Sequence, residues 1–171
     1  MDQKDTTPNE RRNLLIAKAN SQRLELLVEQ LLALSKLESG DIKLQVQPGN
    51  LGQFIRVQIE AFSYLAQEKN LKINYTENEL AESQWFDRDA FGKILFNLLG
   101  NAIKYTSENG DIEINVRQIN SLLHLKISNT GSYLSPEQQQ KIFTRFYQTH
   151  PENPGTGIGL ALTKELTELH K

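Results

Sequence analysis

Apolar residues recur at spacings of three and four from Leu14 through Ala17, Leu24, Leu27, Val28, Leu31 and Leu34 to Leu37, which predicts one long amphipathic helix. Thr7-Pro8-Asn9-Glu10 in front of it has the signature of a capping box, with Thr7 as N-cap, Pro8 at the first helical position and Glu10 folding back on the free amides. Gly40 is the stop. A stripe of this kind must be covered, either by the rest of this chain or by partner helices of a bundle or coiled coil. The length and N-terminal position of the helix favour the second.

After Gly40 the texture changes. Ile42, Leu44 and Val46 alternate with polar residues and predict a half-buried strand closed by Pro48-Gly49. A second amphipathic helix is expected from Leu51, Phe54, Ile55, Ile59, Phe62, Leu65 and Ala66, followed by a strand on Leu71, Ile73 and Tyr75. Gln84-Trp85-Phe86 is a short strand at best. Asp87 is placed to cap a helix through Phe91, Ile94, Leu95, Leu98, Leu99, Ala102 and Ile103. Ile112, Ile114 and Val116 form one arm of a hairpin turning at Asn120-Ser121, with Leu123, Leu125 and Ile127 in the other. Ser135-Pro136-Glu137-Gln138 is another helix start, and a last helix fills Ile158 to Leu169. Helices and hairpins without strict βαβ alternation predict an α+β fold, a two-layer sandwich with a mixed or antiparallel sheet covered by helices on one face. The boundary with the long helix falls near Gly40.

Composition narrows the chemistry. The 171 residues carry 19 basic against 21 acidic side chains, too balanced for the basic footprint of a nucleic-acid binder. Without cysteine there is no disulfide framework, thiol nucleophile or thiolate zinc site. The three histidines, His124, His150 and His170, are too scattered for a metal cluster. No apolar run reaches the roughly 20 residues of a membrane span, and MDQKDTTPNE has no signal-peptide core, so a soluble, intracellular chain without direct membrane contact is expected.

Two stretches do not read as ordinary core. In Asn97-Leu98-Leu99-Gly100-Asn101-Ala102-Ile103-Lys104-Tyr105, asparagines four apart share a helix face with Lys104 near the end. Asparagine is a mediocre mid-helix residue. The two amide oxygens can meet a hard cation while Lys104 faces a phosphate, or they can simply bridge neighbouring loops. Gly155-Thr156-Gly157-Ile158-Gly159-Leu160 opens the last helix, where free amides and the positive end of the helix dipole face an anion. It is neither a P-loop nor the dinucleotide fingerprint, since no Gly-Lys-Ser/Thr follows and Leu160 takes the third-glycine position. Alone, it reads better as a plain flexible turn.

In this order, and with the segments between them, the stretches carry a more specific likeness. From Asp87 to His170 the sequence resembles the ATP-binding catalytic domain of sensor histidine kinases, in the superfamily shared with gyrase, Hsp90 and the mismatch-repair ATPases. Asn97 to Tyr105 is similar to the N box, Asn129-Thr130-Gly131 to the first glycine box, Phe143-Thr144-Arg145-Phe146-Tyr147 to the F box and Gly155 to Leu160 to the second glycine box. The helix ending Leu31-Leu32-Ala33-Leu34-Ser35-Lys36-Leu37-Glu38-Ser39-Gly40 resembles the second helix of the dimerisation and phosphotransfer bundle. The resemblance implies a tail and bundle helix over 1–40 and an ATP-binding domain over 41–171.

It also implies roles. Asn101 would hold the magnesium that bridges the ATP phosphates, with Asn97 beside it as a further ligand. Lys104 would contact phosphate and Tyr105 line the adenine, which Asn129 and Gly131 would help to hold. Gly155, Thr156, Gly157, Gly159 and Leu160 would wrap the phosphates beneath a lid from Gln148 to Pro154. Phe143 and Phe146 would anchor that lid in the core. Superfamily members that hydrolyse ATP have a glutamate base where Asn97 stands, and a neutral amide favours transfer to a protein instead. Partners implied are a second protomer through the bundle helices, a segment bearing the phosphoacceptor histidine and a response-regulator receiver domain. The expected setting is cytoplasmic, as part of a membrane receptor or not.

The sequence departs from the pattern. Asn129 stands where an aspartate is usual; its side-chain oxygen still accepts a bond from the adenine amino group. Tyr133 replaces a glycine, and tyrosine adopts positive φ only at a cost, which bears on the loop's shape. Gln148 replaces an arginine. None of the histidines has a phosphoacceptor context, and the sequence stops at Leu169-His170-Lys171 where relatives continue, so a piece truncated at both ends is expected. These departures also suit a different reading, a degenerate nucleotide-binding or protein-interaction module.

Overall fold

The computed structural model describes residues 7–40, 43–78, 80–120, 122–149 and 155–170. Helix α1 (Pro8–Glu38) starts with the expected capping box: the Thr7 hydroxyl accepts from the Glu10 amide at 3.3 Å, and the Glu10 carboxylate accepts from the Thr7 amide at 2.8 Å. At the far end Gly40 takes φ 71°, the left-handed stop.

The next strand differs from expectation. Residues 43–46 are not strand, and Ile42 lies outside the described residues. Strand β1 (Gln47–Gly49) occupies the Pro48-Gly49 stretch expected to be a turn, and pairs antiparallel with β3 (Gln84–Phe86). The reason lies in a competing partner. The Gln45 amide donates to the Asp87 carboxylate at 2.6 Å rather than to a neighbouring strand. Pro48 lacks an N–H, and the two-stranded ribbon tolerates it.

The second helix also divides, into α2 (Leu51–Ala61) and α3 (Ser63–Glu68), at Phe62. Phe62 is buried against the Phe96 ring, with centroids 5.3 Å apart. The main sheet has order β2-β4-β5, with β2 (Lys72–Asn78) parallel to β4 (Asp111–Ile119) and β4 antiparallel to β5 (Leu122–Asn129). The hairpin turns at Asn120, φ 56°; Ser121 lies outside the described residues. Ile112, Ile114 and Val116 alternate onto the buried face, against α4 (Arg88–Tyr105), which itself buries Phe91, Ile94, Leu95, Leu99 and Ile103. Each such side chain, fully buried, contributes roughly 2 kcal/mol. Helix α6 (Gly159–Leu169) packs on α4 with Leu162 and Leu166, while α5 (Pro136–Lys141) caps with Ser135 as expected. The result is the mixed-sheet α/β sandwich with a long N-terminal helix.

Helix α1 has two apolar faces. Leu27, Ala33, Leu34 and Leu37 pack on the domain core. Leu14, Leu24, Val28, Leu31 and Leu32 are exposed.

Candidate functional site

Helix α4 is held at both ends. Asp87 caps its start, accepting from the Ala90 amide at 2.9 Å while also accepting from Gln45. Burial raises the Asp87 carboxyl, but the amides of Ala90, Gln45 and Asp89 and the charge of His170 outweigh it, leaving the group below the usual carboxylate value. At the other end the Lys69 ammonium donates to the carbonyls of Ile103, Lys104 and Thr106 at 2.9, 3.1 and 3.3 Å. A cation there complements the negative end of the helix dipole and fixes the turn that carries Lys104 and Tyr105. Sequence reasoning did not find Lys69, because a lysine two elements away gives no local signal.

A cavity of about 640 Å³ opens beside that turn. Asn101, Lys104 and Tyr105 line it from α4, Asn129 and Gly131 from the end of β5, and Leu160 from α6. Ile127, Leu134 and Ile142 give it apolar walls. Gly131 has φ 85°, and a Cβ there would stand 2.6 Å from the Ser107 hydroxyl, so only glycine fits the turn. A smaller hollow of about 210 Å³ shares Asn101, Lys104, Tyr105 and Leu160 with the first and adds Asn97, Gly155, Thr156, Gly157 and Gly159. Every candidate residue thus lines one hollow or both. The Lys104 ammonium sits over the Tyr105 ring, 4.7 Å from its centroid, and 3.1 Å from where a Cβ on Gly155 would be. Among the described residues no group of three His, Cys, Asp or Glu side chains is placed to hold a metal. The Asn101 amide has no hydrogen-bond partner among them. A neutral amide oxygen at the cavity wall is a donor that suits Mg²⁺, which takes few protein ligands and keeps several waters.

The glycine loop is fastened from two sides. Gly157 has φ 71°, its carbonyl accepts from the Phe146 amide at 2.8 Å, and a Cβ there would strike the Phe146 backbone at 2.7 Å. From α1, the Gln30 side chain accepts from the Thr156 hydroxyl at 2.6 Å and donates to Asn97 Oδ1 at 3.3 Å. Arg23 donates to the Gly155 carbonyl at 2.7 Å. Gln30 is 7% exposed and sits in the buried face of α1 between Leu27 and Leu34. A glutamine interrupting an apolar stripe was the available signal for it. Asn97 and Asn101, one turn apart, therefore have different surroundings: Asn97 faces α1 and Gly159, and Asn101 faces the cavity.

Residues 86–171 match the family of histidine kinase-, DNA gyrase B- and HSP90-like ATPases. The chain belongs to that family. Within it the likeness lies with the sensor histidine kinases. The chain is 29% identical over 167 residues to histidine kinase P4 of Formosa agariphila, covering 94% of this chain and 12% of that protein. Among solved structures it is similar to full-length ShkA in complex with AMPPNP, at TM-score 0.82 and 26% identity over 96% of this chain. It is also similar to histidine kinase ThkA in complex with the response regulator protein TrrA, at TM-score 0.68 and 26% identity over 87% of this chain. The chain spans 12%, 35% and 42% of the lengths of these three.

Against the boxes of this ATPase family, one expectation changes. Phe143 and Phe146 do not anchor in the core: they are 45% and 62% exposed. The F box holds the glycine loop through its backbone instead, with Phe146 itself at φ 63°. Tyr133 does not take positive φ; its ring is exposed, and the loop turns at Gly131 without it. Gln148, which stands where relatives carry an arginine, donates to the Gly155 carbonyl at 3.1 Å and so braces the loop. Most of the lid, 150–154, lies outside the described residues, as does His150. His124 is exposed on β5, and His170 Nδ1 lies 2.6 Å from the Leu166 carbonyl.

Proposed function

We propose that this chain binds Mg-ATP in the cavity between α4, the end of β5 and the glycine loop, and hands the γ-phosphate to a histidine outside its sequence. The observation that carries this is the convergence of Asn101, Lys104, Tyr105, Asn129 and Gly131 on one cavity, continuous with the glycine loop at the start of α6. The apolar walls and Tyr105 suit a flat base. Lys104 and the α6 N-terminus suit a phosphate chain. Asn101 would hold Mg²⁺, which when bound neutralises charge on the phosphates.

In the transfer itself, a histidine nitrogen attacks the γ-phosphorus, the bond to the β,γ-bridging oxygen breaks and ADP leaves. The protein's part is positioning and charge neutralisation. Asn97 cannot act as a base towards water, and its bond to Gln30 supports a role between helix and domain rather than at the metal. Residues 1–40 would be tail and second bundle helix, and 41–171 the ATP-binding domain. The exposed stripe of α1 supports a second protomer, and the ThkA–TrrA complex supports a response regulator as final acceptor. Dependence on ATP fits a cytoplasmic setting; among the described residues no helix is long and apolar enough to cross a membrane.

Calorimetry tests the reading. Mg-ATP is expected to bind saturably, more weakly without Mg²⁺, and roughly 10- to 100-fold more weakly in Asn101→Ala. Labelled phosphate is expected on a supplied bundle helix pair bearing a histidine and not on this chain alone. Absence of saturable binding would leave a protein-interaction module as the better account.

A further inference from the structure

Two cations converge on one neutral residue of the glycine loop. Arg23, from α1, donates to the Gly155 carbonyl at 2.7 Å, and the Lys104 ammonium, from α4, stands 3.1 Å from where a Cβ on Gly155 would be. Among the described residues neither cation has a carboxylate partner, and no carboxylate lines either hollow. Like charges gathered beside one glycine repel, and an anion held between them turns that repulsion into attraction. The position of Arg23 follows from the helix that carries it. Arg23, Leu26 and Gln30 are spaced by three and four on one face of α1, and Leu26 and Gln30 line the smaller hollow. The bond from the Thr156 hydroxyl to Gln30 fixes that face against the loop. The Gly155 bond is the one hydrogen bond that Arg23 makes among the described residues, and a guanidinium has five N–H donors.

We propose that Arg23 is a further binding residue, a second cation that α1 supplies to the phosphate chain alongside Lys104. The inference rests on the nucleotide reading above. Arg23 lies outside residues 86–171, which carry the family match, so the phosphate end of the site is completed from the N-terminal helix. By linkage the effect is reciprocal: a phosphate chain held by Arg23 fastens α1 to the domain, and release of α1 weakens nucleotide binding.

The test is competition of Mg-ATP and of adenosine against a fluorescent adenine nucleotide on the whole chain. Arg23→Gln is expected to weaken Mg-ATP about three- to tenfold, a modest loss because the side chain is exposed, and to move adenosine by less than about twofold. Arg23→Lys, which keeps the charge, should recover most of the loss. Because the effect is electrostatic, the gap between wild type and Arg23→Gln should narrow as salt rises from about 0.05 M to about 0.5 M. An unchanged Mg-ATP affinity in Arg23→Gln would overturn the inference while leaving ATP binding intact. So would an equal loss of adenosine, no recovery with lysine, or a gap that salt leaves unchanged, each of which would make Arg23 only a brace for the Gly155 carbonyl. Failure of wild type to bind Mg-ATP would overturn the nucleotide reading and this inference with it.

Discussion

Helices α1 and α4 have the same signature in the sequence, apolar residues at spacings of three and four. They end in different situations. In α4 the stripe is enclosed, between the buried face of the sheet and helices α2 and α6, with Leu95 at 0% and Leu99 at 1% exposure. Among the described residues of α1 only Leu34 is buried to that degree, at 2%, while Leu24 and Leu32 are 61% and 57% exposed. Periodicity therefore reports that a helix has an apolar side, not what covers it. The difference also sorts function: α4 carries the cavity on a rigid support, whereas α1 reaches the site through Leu26, Gln30 and Arg23 and keeps a second apolar face exposed.

The sharpest break would be at Leu95. Leu95→Ala should cost about 3 kcal/mol through lost burial and the cavity left behind, read as a lower midpoint in urea. An effect as large from Leu24→Ala would show the two helices to be alike after all. A smaller loss, about 1–2 kcal/mol, is expected for Asp87→Ala, which removes the α4 cap and the acceptor for Gln45. Its pH dependence has a defined sign. Because the folded carboxyl titrates below its unfolded value, the stabilisation is fully present above about pH 4 and is lost as pH falls through the lower folded value. The gap between wild type and Asp87→Ala should therefore close in acid. A gap that widens there would sink the assignment.

Much of the fold was legible because its signals are local. The Thr7–Glu10 capping box, the Asp87 cap and the 111–129 hairpin each depend on residues a few positions apart. The candidate residues were legible for a different reason, since their spacing along α4 and around the glycine loop carries the family resemblance. What could not be read depends on distant partners. Strand β1 sits later than its alternation suggests because Asp87, 42 positions on, takes the Gln45 amide. The helix after it breaks because Phe62 is drawn under Phe96. Lys69 and Gln30 stabilise the site from 34 and 126 positions away, where no periodicity reaches.

The contact between the two regions offers a finer test. Gln30→Leu keeps the buried face of α1 apolar but leaves the Thr156 hydroxyl without its acceptor and Asn97 Oδ1 without its donor. The expected cost is about 1 kcal/mol, the low end for unsatisfied polar groups, because both sites border a hollow that water can enter. Hydrogen exchange should localise it to α1 and the glycine loop, with α4 protection unchanged. Loss of protection along α4 would mean that α1 supports the domain core rather than leaning on it.

The smallest effect on stability is expected on the exposed face of α1, and that is where it teaches most. Leu24→Ala combined with Leu31→Ala removes apolar surface that solvent already reaches, so unfolding of the domain should change by less than about 0.5 kcal/mol. If that face is a bundle seam, the same pair of changes should weaken self-association measured by sedimentation velocity, since each truncation removes surface buried only in the assembly. A large loss of stability without any change in association would mean that this face is covered within the chain. Unchanged stability with weaker association would set α1 apart from α4 as the helix whose core is completed by another molecule.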